Sequence, residues 1–301
     1  MLLKSILIYL GKLVLCGFSF ILGTTIGGII ATLLGLSAAQ NPEIVDMSLA
    51  LRYLILESPL LALALALVAS GIRGGILVRS FVLFLLAWIA YTVNTQLDAI
   101  LYTEFGGGFW FSLVSFGIAC LFSGVSAAWL FPSHKKDNGL LAEWKDFFRQ
   151  RSTGEWIWRL GFSAIAFMPI YYFMGLLVVP FTRHYYQENA FGLRMPELNQ
   201  ILVVLFIRSL LFLLACLPVI VLWCKGHVRL FLSLGFSLFV LVGLLYMLVA
   251  YWMPLSVRLP HMLEILVDEF LYAGVLVALF KKSERKPDLV LATQTDNYLI
   301  R

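Results

Sequence analysis

Phe231–Tyr251 reads FLSLGFSLFVLVGLLYMLVAY, twenty-one residues without a charge. At 1.5 Å per residue a helix of that length covers about 30 Å, the thickness of a bilayer's hydrocarbon core. Lipid offers the backbone no hydrogen bonds, so such a segment must be helical. Leu60–Ser70 lies in a second stretch of the same kind. The whole chain repeats this economy: of 301 residues, 61% are hydrophobic and 13% charged. A soluble domain carries about a quarter charged residues, because its surface must be solvated. These numbers exclude a soluble enzyme, a disordered chain and a secreted disulfide scaffold. They predict an all-α, polytopic transmembrane bundle.

Apolar runs of spanning length place eight transmembrane helices at 13–36, 48–70, 77–97, 108–131, 157–180, 197–222, 228–250 and 259–280. Lys4 and Lys12 followed by Ser37-Ala38-Ala39 have the outline of a signal peptide. The run from Leu13 to Leu36 is too long for one, however, and predicts a retained helix. The basic residues then sort themselves. Seventeen fall on one side: Lys4 and Lys12, Arg73 and Arg79, six between Lys135 and Arg159, Lys225 and Arg229, and five from Lys281 to Arg301. Arg52, Arg183, Arg194 and Arg258 fall on the other, and Arg208 lies inside a span. That asymmetry predicts both termini in the cytoplasm and a place in the cytoplasmic (inner) membrane. It also accounts for the net charge of +5 without a nucleic-acid partner.

Four segments follow: a first four-helix half at 1–132, a linker at 133–156, a second half at 157–282 and a cytoplasmic tail at 283–301. In the linker, Leu140, Leu141, Trp144, Phe147 and Phe148 share one face, with Lys145, Arg149 and Arg151 on the other. This pattern predicts an amphipathic helix lying on the cytoplasmic leaflet. Several matches suggest that the halves are repeats. Gly17-Phe18-Ser19 resurfaces as Gly161-Phe162-Ser163, and Glu57-Ser58 aligns with Arg208-Ser209. Gly124-Val125 aligns with Gly274-Val275; Glu57 to Gly124 is 67 residues and Arg208 to Gly274 is 66. Leu/Phe-rich helices also align by chance, but matching intervals across three spans are harder to obtain so. An even number of spans per half would relate the halves by an axis along the membrane normal.

An ionisable residue inside a span costs a few kcal/mol (about 2.5–3.5 on insertion scales) unless paired or wetted. The candidates are Glu57 on span 2, Asn94 and Asp98 on span 3, Arg208 on span 6, and His261, Glu264 and Asp268 on span 8. All lie near the midplane or in the outer half, as an outward-open polar cavity between spans 2, 3, 6 and 8 would require. Glu57 and Arg208, equivalent in the repeat, are expected to pair across its axis. Asp98 is expected at the interface, and Asn94 against a neighbouring helix. His261, Glu264 and Asp268 are spaced i, i+3, i+7 and share a stripe that Tyr272 continues, with Glu269 turned away by about 100°. The stripe admits three readings: a neutralised outer vestibule, a proton or cation relay, and a divalent-metal site made of His261, Glu264 and Asp268. Gly23-Thr24-Thr25-Ile26-Gly27 is a GxxxG face for close packing within the bundle or between protomers. Cys16, Cys120, Cys216 and Cys224 sit in apolar runs without ligand spacing.

No nucleotide, dinucleotide, zincin or haem-attachment motif occurs, and no nucleophile elbow frames a serine. No resident cofactor is expected beyond that metal reading. The leading functional expectation is a transporter-like or lipid/solute-binding membrane protein. Its partners would be the bilayer and a small polar solute, ion or lipid head group, with a homo-oligomer or membrane partner left open. The alternatives are an intramembrane enzyme acting on lipid or peptide from the outer side and a structural accessory subunit.

Overall fold

The computed structural model describes residues 2–38, 46–104, 106–133 and 140–281. Lys135, Lys136, Lys282, Arg285, Lys286, Arg301, Ala39 and the tail at 283–301 lie outside the described residues. The described chain is helical, with no strand among its residues. In order come α1 (Leu2–Leu33), α2 (Met47–Ala69), α3 (Ile76–Tyr102), α4 (Phe109–Leu130), the short α5 (Leu140–Phe148), α6 (Thr153–Gln187), α7 (Leu198–Leu222), α8 (His227–Val249) and α9 (Leu255–Phe280). Seven of them are long and apolar enough to cross a membrane. The other two are α5, too short, and α9, which has the length but carries Arg258, Glu264, Asp268 and Glu269. The described residues form an all-helical bundle with seven candidate membrane spans, consistent with a membrane protein.

Helix starts follow local chemistry. Asp46 caps α2, accepting hydrogen bonds from the Ser48 and Leu49 amides at 2.8 and 3.2 Å. With the Ser48 hydroxyl, which contributes most, those donors hold the Asp46 carboxyl below its ordinary value. Ser152 caps α6, and Glu197 with Gln200 forms a capping box on α7. α1 and α6 run well beyond the apolar stretches expected at 13–36 and 157–180. Hydropathy marks only the lipid-facing length, whereas the helices continue to their polar caps.

At the end of the bundle that carries α5, a short antiparallel contact joins the α2–α3 and α7–α8 turns. Arg73 N–H donates to Leu222 O and Cys224 N–H donates to Gly71 O, both at 3.0 Å, with Ile72 opposite Trp223. Arg79 is buried beside it. Its guanidinium bonds Ala69 O at the end of α2 and Ala128 O and Phe131 O at the end of α4. A residue counted only as an orientation charge thus satisfies two helix C-termini. Arg151 and Arg159 do the same at the end of α9, on Lys281 O and Leu279 O.

The linker helix packs part of its apolar face on the bundle: Phe147 is buried, Phe147 and Phe148 meet the Trp156 ring at a tilt with centroids 5.0 and 4.7 Å away, and Leu141 stays exposed. Glu143 faces inward and pairs with Arg73 at 3.0 Å. Aromatic packing and an ion pair with the α2–α3 turn hold α5 to the protein more specifically than a leaflet could. The GxxxG of α1 packs within the bundle, with Gly23 and Gly27 against Ala119 and Ser115 of α4.

Helix bounds recur along the chain. α1 and α6 begin at residues 2 and 153, α2 and α7 at 47 and 198, and α3 and α8 at 76 and 227, an interval of 151 each time. Trp88–Val93 in α3 and Phe239–Leu244 in α8 are both six-residue π-helical turns, again 151 apart. Such turns are rare inside α-helices.

Candidate functional site

A cavity of about 210 Å³ lies at the end of the bundle opposite the Ile72–Trp223 contact. Tyr102 of α3, Tyr171 and Tyr186 of α6, and Tyr246 of α8 line it. Its charged and titratable groups come from four helices: Asp98 on α3, Arg183 on α6, Arg208 on α7, and His261 with Glu264 on α9. Leu193 and Met195 of the α6–α7 connection close the end. That connection is tied down: Arg194 N–H donates to Tyr102 O at 2.9 Å, and the Arg194 guanidinium caps the last carbonyls of α3. Asn189 and Phe191 take left-handed backbone conformations in the same turn.

Two polar arrangements face the cavity. Arg208 Nη1 donates to Asp98 Oδ1 at 2.7 Å, and the guanidinium stacks over Tyr171 at 4.9 Å and Phe167 at 5.6 Å. Arg208 is 3% exposed and Asp98 21%. Beyond them, the Tyr186 hydroxyl lies 3.2 Å from His261 Nε2, and His261 Nδ1 lies 2.8 Å from Glu264 Oε2. With Nδ1 protonated, Tyr186 donates to the ring and the ring donates to the carboxylate. Glu264 Oε1 lies beside Gly175 of α6, where an added Cβ would come within 3.2 Å of it.

Behind the cavity α9 continues its polar stripe into the core. Asp268 is 2% exposed and neither carboxylate oxygen has a hydrogen-bond partner. Glu269 Oε2 and the Tyr272 hydroxyl are likewise buried without partners. Glu264 and Arg208 both act on Asp268 through space. Tyr272 is walled in by Phe167 and Phe212.

Several expectations need correction. Glu57 and Arg208 do not pair. Glu57 instead accepts from the Tyr91 hydroxyl at 3.2–3.3 Å, between Phe20 and Phe116, while Arg208 takes Asp98. The spacing equated their positions along two helices but could not tell which neighbours each would meet. Asp98 faces the cavity, where it pairs with Arg208. Asn94 is buried and neither amide atom has a partner, so it lies apart from the cavity group. The cavity wall belongs to spans 3, 5, 6, 7 and 8; no described residue of span 2 lines it. His261, Glu264 and Asp268 do not converge as ligands. Glu264 occupies His261 Nδ1, Asp268 lies a further turn along α9, and no group of three His, Cys, Asp or Glu among the described residues is arranged to hold a metal ion.

Sequence reasoning missed the tyrosines. Tyr185-Tyr186 reads as an interfacial aromatic belt, and only the fold shows Tyr186 reaching His261. The signal that could have found the others was Tyr102, four residues beyond Asp98 on one helical face. No family model, curated protein or solved structure matches this chain.

Proposed function

We propose that this protein is a membrane transporter whose tyrosine-lined cavity binds a small polar or amphipathic solute and whose α9 stripe carries protons beside it. One observation carries the reading: behind the hydrogen-bonded line Tyr186–His261–Glu264 stands Asp268, buried and without a partner. A carboxylate in that setting is costly unless it exchanges a proton or meets a ligand. Titratable groups at 261, 264 and 268 provide steps of about 4.5 and 6 Å along the helix axis.

The recurring 151-residue interval and the reciprocal hydrogen bonds at Ile72 and Trp223 support two four-helix repeats about an axis along the membrane normal. Each hydrogen bond there is the image of the other under that interval, as at an isologous interface. α9 is then the eighth span, its charges facing the bundle. The distribution of Lys and Arg supports cytoplasmic termini and, with them, a cavity on the outer side. Such halves rock against each other around a site in alternating access.

The test is proton uptake by liposomes containing the full chain, driven by an imposed membrane potential and read by an internal pH dye. Asp268→Asn and Glu264→Gln are each expected to lower the initial rate at least tenfold. Rates unchanged in both variants would refute the relay. The same hydrogen-bonded line also favours a second reading, an enzyme using His261 as base on a lipid at the outer side. That reading requires a lipid product whose formation His261→Ala abolishes.

A further inference from the structure

We infer that the cavity takes a zwitterionic head group, an ammonium together with a phosphate or carboxylate. The inference rests on the reading of the cavity as a solute site and supplies the chemistry of its ligand. The cavity wall presents both signs of charge within a single pair, Arg208 and Asp98 at 2.7 Å. A ligand bearing one charge could engage one member only by stranding the other, and a stranded charge at a buried site is strongly unfavourable. A zwitterion inserts without that loss: its anion replaces Asp98 on Arg208, and its ammonium replaces Arg208 on Asp98.

The remaining charged groups also carry both signs: Arg183 can meet the anion, and Glu264 the ammonium. Glu264 spends Oε2 on His261, leaving Oε1 beside Gly175. Tyr102, Tyr171, Tyr186 and Tyr246 line the cavity, and a tyrosine ring can attract an organic cation. Arg208 already rests on one of them, over Tyr171. The size fits a head group, with a cavity of about 210 Å³.

The same ligand chemistry has two sources, a membrane phospholipid or a free amino-phosphate. One wall of the cavity is formed by Tyr172, Leu176 and Val179 of α6, which are 42%, 48% and 38% exposed. In a bilayer this wall meets acyl chains, so a head group can enter while its tail stays in lipid.

The experiment measures binding to the purified full chain in detergent by titration calorimetry. Three probes are used: dihexanoyl phosphatidylethanolamine, dihexanoyl phosphatidylglycerol with the same chains, and free phosphoethanolamine. The ethanolamine lipid is expected to bind at least tenfold more tightly than the glycerol lipid. Asp98→Asn and Glu264→Gln should each weaken the ethanolamine lipid at least tenfold and bring the two lipids level. Gly175→Leu, which keeps every charge but fills the space beside Glu264, should weaken ethanolamine binding as well. Free phosphoethanolamine within threefold of the ethanolamine lipid identifies a soluble zwitterion; weaker by tenfold or more, it identifies the lipid. Equal binding of the two lipids by the unaltered protein would overturn the inference, as would ethanolamine affinity indifferent to all three substitutions. Proton uptake by the unaltered protein separates the two failures. If it persists and depends on Asp268 while the lipids bind equally, the ligand chemistry fails and the transport reading stands.

Discussion

Gly27→Ala is expected to destabilise the protein while Gly28→Ala, one residue along the same helix, leaves it unchanged or improves it. A Cβ at residue 27 would stand 2.3 Å from the Ser115 carbonyl oxygen and 2.8 Å from Ser115 Cα. Backbone offers no rotamer by which to yield, so α1 and α4 must part along their contact. Forced overpacking costs about 1–3 kcal/mol or more. Against it stands the gain of about 1 kcal/mol when alanine replaces glycine in a helix. At residue 28 the nearest atoms, Ser115 Oγ and Phe111 Cζ, are at 3.8 and 3.9 Å, so only the gain remains. At about 2–4 °C per kcal/mol, the two variants should differ in melting temperature by roughly 2–12 °C in detergent. Equal melting temperatures would show that the helices do not approach so closely. An unchanged oligomeric state in both variants would confirm that this GxxxG serves the bundle and not a dimer.

The contrast between those two glycines shows what kind of information a sequence carries. That α1 has a small-residue face is legible from Gly23 and Gly27; that Ser115 is what meets it is not. The helices were legible for the same reason. Lipid leaves the backbone one solution, so an apolar run of spanning length fixes the element whatever surrounds it. The last helix was expected at 259–280 despite its charges, and α9 runs Leu255–Phe280. Element ends were less legible, because α1 and α6 continue through polar residues that hydropathy ignores.

The candidate site was legible in its ionisable residues and not in their pairing. Asp98, Arg208, His261 and Glu264 all line the cavity, each one picked out by the expense of charge in a span. Glu57 met the same criterion and proved to belong elsewhere, held by Tyr91 within the first half of the chain. Cost identifies a residue that needs a partner; only packing supplies the partner. Tyrosine escapes the criterion altogether, since its ring is welcome in an apolar wall and its hydroxyl needs a single hydrogen bond. Hence the five tyrosines of the cavity could not be picked out by expense.

The Arg208–Asp98 pair should show the strongest non-additivity in the molecule. Arg208→Met alone leaves Asp98 facing the cavity without its cation, and Asp98→Leu alone leaves a 3%-exposed guanidinium with an unpartnered Nε. Breaking one side of a buried pair costs about 3–5 kcal/mol. Replacing both sides with apolar residues of similar volume is often neutral, because the desolvation penalty disappears with the charges. Each single variant should therefore lose roughly 6–20 °C in melting temperature, at about 2–4 °C per kcal/mol, while the double variant returns to within a few degrees of the parent. The Arg208 stack on Tyr171 and Phe167 is lost in one single and in the double alike, so it drops out of the coupling. Glu57→Gln combined with Arg208→Met is the matching control. Those residues share no contact, and their effects should add within about 0.5 kcal/mol. Additivity at Arg208 and Asp98, or coupling between Arg208 and Glu57, would reverse the pairing that the cavity rests on. A double variant that is stable yet binds no zwitterion would make a further point. The pair then contributes little to the fold it sits in, as expected of charges kept for a ligand to part.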